Sequence, residues 1–186
     1  QTTSEVAIEL NAKDCSHLQK FNEALGNGSD IKFKIQKDRM IKGVHVSGGQ
    51  KTVIVRYYSS EMYFDLVDKG VVQNKTYRFE FPKVEEKYFF NFLLGVIDGD
   101  GYISGEDYLT VGIVNSNLKF LKYVQESLSK YDIKTHIYAE DKWKYRLTAV
   151  GENADALLSK LYKSAPVYLR RKYVIYKQYT INTGLA

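Results

Sequence analysis

The chain has 186 residues, 44% hydrophobic and 26% charged, close to globular averages and incompatible with wholesale disorder. Two prolines and thirteen glycines exclude collagen-like and low-complexity classes, and the one cysteine, Cys15, excludes an internal disulfide or a cysteine-based zinc site. Lys and Arg number 27 against 22 Asp and Glu, a net charge of +5 that suits a polyanionic partner without requiring one. The longest apolar run, near Phe89–Ile97, is well short of the ~20 residues of a membrane span. No basic and then apolar leader follows Gln1, and a start at Gln1 rather than Met leads us to expect a missing native beginning. A lone thiol fits an intracellular, reducing compartment, either cytoplasm or an organelle matrix.

In chain order, Ser4–Asn11 alternates apolar and polar residues as a half-buried strand does. Asp14–Leu25 carries Leu18, Phe21 and Leu25 at helical spacing, and Gly26-Asn27-Gly28 ends it. Asp30–Gln36 alternates again, with Ile31, Phe33 and Ile35 on one face and Lys32 and Lys34 on the other. Residues 43–50 read as loop or a short irregular strand, Thr52–Tyr58 as a strand, and Ser59 or Ser60 as the cap of a helix running to Lys69.

The second half repeats this order. Leu109–Asn115 reads as a strand, Leu118–Leu128 as a helix, Asp132–Tyr138 and Lys144–Val150 as strands, and Asn153–Leu161 as a helix. Pairing Asn11 with Asn115, Leu25 with Leu128 and Asp30 with Asp132 gives separations of 104, 103 and 102, as a duplicated unit with small insertions would. The expected organisation is therefore a first repeat over 1–84 and a second over 85–186.

The second repeat opens with a helix over 85–98 in which Phe89, Phe90, Phe92, Leu93, Leu94, Val96 and Ile97 leave almost no polar face. Such a helix is buried on several sides. Exposing seven large apolar residues would cost on the order of ten kcal/mol, so a covering partner is expected. The run Leu93-Leu94-Gly95-Val96-Ile97-Asp98-Gly99-Asp100-Gly101 resembles the signature of the LAGLIDADG homing endonucleases, with Leu94 in place of the usual small Ala.

The resemblance implies an α+β fold of two pseudo-symmetric αββαββα repeats whose antiparallel sheets form a DNA-binding saddle. It implies a metal-dependent, site-specific endonuclease that hydrolyses phosphodiester bonds in double-stranded DNA. Carboxylate oxygens are hard ligands suited to Mg²⁺ or another divalent cation. By resemblance, Asp100 and the carbonyl of Gly99 hold the ion, Asp100 is catalytic, and Leu94, Gly95 and Asp98 belong to the helix interface. The resemblance also places a lysine after the last helix of each repeat, near the reacting phosphate, here Lys75 and Lys172. A complete single-chain member has two signature helices, and this chain shows one. A longer N-terminus or a second chain is thus expected to supply the other.

The polar faces of the strands offer Lys32, Lys34, Gln36, Arg39, Lys51 and Arg56 in the first repeat. In the second they offer Lys134, His136, Tyr138, Lys142, Lys144 and Arg146. These are the expected DNA contacts, reading the major groove while cleavage crosses the minor groove. His17, His45 and His136 show no metal-ligand spacing with acids. Asn11 and Asn115 suit either a turn or the ordering of water. The basic, tyrosine-rich stretch Arg170–Lys177 suits either phosphate tracking or an amphipathic helix packed on the second repeat.

Three other readings stand beside this one. DGDGYISGED resembles a calcium loop, yet Val96 would hold its first ligand position and a strand pattern follows it. The apolar helix suits a mere core element. The same fold also suits a non-cleaving nucleic-acid binder, such as an intron splicing cofactor or a DNA-binding regulator.

Overall fold

The structure is a computed structural model that describes residues 4–26, 28–41, 44–71, 84–163 and 165–184. The chain divides into two compact units, Gln1–Gln73 and Asn74–Ala186. Each is α+β with antiparallel sheets.

In the first unit, β1 (Glu5–Asn11), α1 (Cys15–Ala24), β2 (Lys32–Ile35) and β5 (Lys51–Tyr58) build a three-stranded sheet in the order β1-β5-β2. The short strands β3 (Arg39–Ile41) and β4 (Val44–Val46) form a separate two-stranded ribbon. The stretch read as loop or a short irregular strand holds the short strand β4, and Arg39 lies off the main sheet. The helix α2 (Ser60–Asp68) follows β5, and the Ser59 hydroxyl caps it by accepting the Met62 N–H at 3.1 Å. The alternation of β1 turns Val6, Ile8 and Leu10 toward Leu18 of α1, beside Val53, Val55 and Tyr57 of β5. Because α1 lies against β1 and β5, the apolar face expected of β2 is not covered: Phe33 and Ile35 are 70% and 66% exposed.

The second unit opens with α3 (Phe89–Asp100), which runs directly into β6 (Gly101–Ser104). There follow β7 (Thr110–Asn115), α4 (Leu118–Ser129), β8 (His136–Asp141), β9 (Lys144–Val150), α5 (Glu152–Tyr162) and α6 (Arg170–Thr183), with sheet order β6-β7-β9-β8. Ile103, Val111, Ile113, Leu147 and Ala149 line the inner face and meet Leu93 and Ile97 of α3, Leu121 and Val124 of α4, and Leu157 and Leu158 of α5 in one core.

Two expectations are corrected here. Of the seven apolar residues of α3, Phe89, Leu93, Leu94 and Ile97 are buried in this unit's own core, and Phe90, Phe92 and Val96 pack partly against it. The covering partner that the energy argument demanded is mostly the unit's own sheet and α5. The strand expected at Asp132–Tyr138 begins at His136. Asp132 instead takes a left-handed φ of 59° in the turn after α4, and the Ile133 N–H returns to the Leu128 carbonyl at 3.2 Å. The Asp-Ile-Lys of the second repeat is thus a helix-ending turn with Ile133 tucked into the core.

The order β1-α1-β2-β5-α2 matches β7-α4-β8-β9-α5, and the sheet order β1-β5-β2 matches β7-β9-β8. The first unit shows no counterpart of α3 and β6 among the described residues, so β1 pairs with β5 alone.

Candidate metal and nucleic-acid sites

The acid-bearing end of α3 is held from within by α6. α3 extends through Asp100, two residues beyond its expected end, which places Asp98 inside the helix and Asp100 at its exposed last position. The Asp98 carboxylate is buried, and its Oδ2 accepts the Leu169 N–H at 2.8 Å at the entrance to α6. One turn on, Lys172 is only 4% exposed. Its ammonium donates to the carbonyls of Ile97 at 2.5 Å, Asp98 at 3.0 Å and Gly101 at 2.5 Å. An ammonium has three N–H donors, and three carbonyls lie within hydrogen-bond reach of this one. Those carbonyls belong to the helix end and the turn after it, where the helix dipole is negative and a cation is favoured. Lys172 therefore lies beneath the turn that displays Asp100.

The residues expected at the helix interface diverge. Leu94 is buried in the unit's own core, and Asp98 is committed to α6. Gly95 faces outward, where a Cβ would meet nothing within 4 Å, and so does Gly99. Asp100 is exposed, and the Gly99 carbonyl is not among the three that Lys172 takes. One carboxylate and one carbonyl are suitable hard donors for a divalent ion, but too few for a six-coordinate site. Among the described residues no three His, Cys, Asp or Glu side chains converge on a metal position. As hard oxygen donors the carboxylate and the carbonyl suit a divalent cation as part of a larger ligand set. Lys75 lies outside the described residues.

The outer face of the four-stranded sheet carries the row Tyr102, Gly112, Thr148 and His136 and, beside it, Val114, Arg146 and Tyr138. His136, Tyr138, Lys144 and Arg146 of the expected contacts share this face. Lys134 precedes β8, and Lys142 is in the β8–β9 turn with its ammonium 5.3 Å over the ring of exposed Trp143. In the first unit Lys32, Lys34 and Arg56 lie with Glu5 and Glu9 on the outer face. Lys51 is exposed at the start of β5, while Gln36 follows β2 and Arg39 sits on the ribbon.

Three acids temper these faces. Glu9 accepts the Thr52 hydroxyl at 2.7 Å and lies 3.5 Å from Lys34, and Glu5 lies 3.2 Å from Arg56 Nε. Glu140 takes Lys144 Nζ at 2.8 Å and contacts the Arg146 guanidinium. The Thr52 hydroxyl, with Lys34 behind it, holds the Glu9 carboxyl below its ordinary pKa, and Lys144 and then Arg146 do the same for Glu140. Sequence reasoning passed over all three acids. The signal was there: Glu5 and Glu9 alternate onto the polar face of Ser4–Asn11, and Glu140 stands across a two-residue turn from Lys144.

Other polar groups have local roles. Asn11 and Asn115 make the same turn, each accepting the N–H two residues on, at 3.1 Å from Lys13 and 2.8 Å from Asn117. α6 buries Lys172, Tyr176 and Thr180 against its own unit while Arg170, Arg171 and Lys177 stay exposed.

Residues 88–162 match the family model described as LAGLIDADG-like domain, in agreement with the resemblance read from the nonapeptide. The fold matches solved LAGLIDADG homing endonucleases. Meganuclease I-SmaMI, bound to uncleavable DNA, aligns with TM-score 0.56 and 12% identity over 95% of this chain and 78% of that one. I-DmoI in complex with DNA and Ca aligns with TM-score 0.52 and 16% identity over 89% and 78%. Full-length DUF199/WhiA from Thermatoga maritima aligns with TM-score 0.51 and 14% identity over 96% and 53%. The chain spans 63% of the length of the homing endonuclease I-CvuI, at TM-score 0.40 and 19% identity over 50% of its own residues. No curated protein matches the chain by sequence.

Proposed function

We propose that this chain acts as a site-specific, divalent-metal-dependent endonuclease on double-stranded DNA. The observation that carries this reading is the exposed carboxylate of Asp100, fixed at the end of a buried signature helix directly before a sheet whose outer face bears His136, Tyr138, Lys144 and Arg146. Asp100 and the Gly99 carbonyl would hold Mg²⁺ or a similar ion, which supplies charge stabilisation at a phosphate and an acidified water when bound. The chain's own residues do the holding. Asp98 and Lys172 fix the turn, and the sheet faces orient DNA. We assign Lys172 a positioning role rather than a contact with phosphate, because its ammonium is buried among the carbonyls of the α3 end. A second signature helix, from a preceding segment or another chain, would pack on the open Gly95 and Gly99 side and bring the further acid.

The test is cleavage of long duplex DNA with Mg²⁺ by the protein together with its partner helix. The proposal expects discrete cuts, abolished by Asp100→Asn with binding retained. Cutting that survives Asp100→Asn would overturn the assignment. The second reading is a non-cleaving binder of the same fold, and the removal of Lys172 from the phosphate's reach favours it. Under that reading the wild type binds nucleic acid tightly, never cuts, and tolerates Asp100→Asn.

A further inference from the structure

The middle of the second unit's outer face is not simply basic. β8 and β9 pair regularly through Ala139↔Tyr145, shift register, and resume at Asp141↔Lys144. Glu140 is the bulged residue between. A bulge re-aims a side chain, and this one turns Glu140 between Lys144 and Arg146, with its side chain only 17% exposed. Arg146 in turn lies 5.8 Å from the Tyr102 ring centroid, and the Tyr102 hydroxyl shares a hydrogen bond with Thr148 at 3.3 Å. Two cations, one carboxylate and one ring thus form a fixed group whose net charge is +1.

We propose that Glu140 is a specificity-determining residue of this face, an inference that rests on the DNA-binding reading above. A phosphate drawn to Lys144 or Arg146 must compete with a carboxylate already seated there and is repelled by it. That penalty is the same for every DNA sequence. A G·C pair in the major groove offers more: guanine O6 and N7 accept from Arg146, and cytosine N4 donates to Glu140. Such a base edge gives Arg146 two acceptors and Glu140 a donor at once, whereas DNA that presents only acceptors to this group leaves the acid unpaired and repelled. Glu140 therefore acts against wrong sequences at least as much as for the right one.

The experiment measures binding of the full chain to a mixed-sequence duplex across a range of salt concentrations. Glu140→Gln is expected to tighten this non-specific binding by up to about tenfold and to steepen the slope of log K against log salt by about 0.9 for each additional phosphate neutralised. Selection from a randomised duplex pool is expected to lose preference at one G·C position. Arg146→Gln, whose charge is already compensated, should weaken non-specific binding less than Lys134→Gln, whose ammonium makes no ion pair among the described residues. Unchanged affinity and slope for Glu140→Gln would overturn the inference. So would an Arg146→Gln loss equal to that of Lys134→Gln, a comparison that remains decisive if the Glu140 variant does not fold. A wild-type chain that binds no duplex in a salt-dependent way would instead bring down the DNA-binding reading itself.

Discussion

The Tyr102 ring lies over Gly112, so closely that a Cβ on Gly112 would stand 2.6 Å from a ring carbon. The two residues are direct partners across β6 and β7. The absent side chain makes room for an aromatic plate beneath Arg146 on the outer face. Gly112→Ala is expected to displace the ring and to cost about 1–3 kcal/mol, as other overpacking changes do. Denaturant unfolding checks the stability, and a stability equal to wild type would show that Tyr102 swings away freely.

The staple between α3 and α6 gives a second expectation. Lys172→Met removes the ammonium from the carbonyls of Ile97, Asp98 and Gly101, of which Ile97 keeps the Gly101 N–H, and an unpaired buried polar group costs about 1–3 kcal/mol. We expect a stability loss of at least that order, with Lys172→Arg recovering part of it. A lysine working only on a bound phosphate would leave the unfolding curve of the DNA-free protein unmoved.

Alkaline pH should weaken the packing of α6. Burial, and then the bond from the Tyr176 hydroxyl to Asp155 at 3.0 Å, pushes the Tyr176 phenol up to about 12 from 10.0. Burial likewise pushes Tyr162 up, with the Asp98 charge adding to it. A raised folded value means that the stabilisation is complete below about pH 10 and is lost as pH climbs toward about 12. Thermal melts over this window should fall in step with tyrosinate absorbance, and Tyr176→Phe should flatten the decline.

The outward side of α3 separates what this chain needs from what a partner helix needs. Gly95→Leu meets nothing within 4 Å here, and glycine is a poor helix former by about 1 kcal/mol, so the isolated chain should be as stable as wild type or slightly more so. The same change should abolish pairing with a second signature helix, read as loss of co-purification and of cleavage. Full activity in Gly95→Leu would exclude a close helix on that side.

The parts of this protein that obey a period were open to reading. The alternation in Ser4–Asn11 and Lys144–Val150 and the helical spacing of Leu121, Val124 and Leu128 each found their element within a residue or two. The nonapeptide identified the acid-bearing helix end. What escaped depends on contacts distant in sequence. Nothing near Lys172 in the chain says that it reaches back to Ile97, and Leu94 gives no sign that its own sheet, rather than a foreign helix, covers it. Asp132 misled because Asp-Ile-Lys opens a strand pattern in the first repeat, whereas a left-handed aspartate ends a helix in the second. The acids at Glu5, Glu9 and Glu140 were visible, but a search for positive charge looks past the groups that neutralise it.

The match to the family model ends at residue 162, while the two residues that pin the Asp100 turn, Leu169 and Lys172, come afterwards. Any trimmed version cut at that border would keep the whole recognisable motif and lose the brace under it. Grafting or shortening this module must therefore carry the last helix along, or the acid will hang from a frayed end.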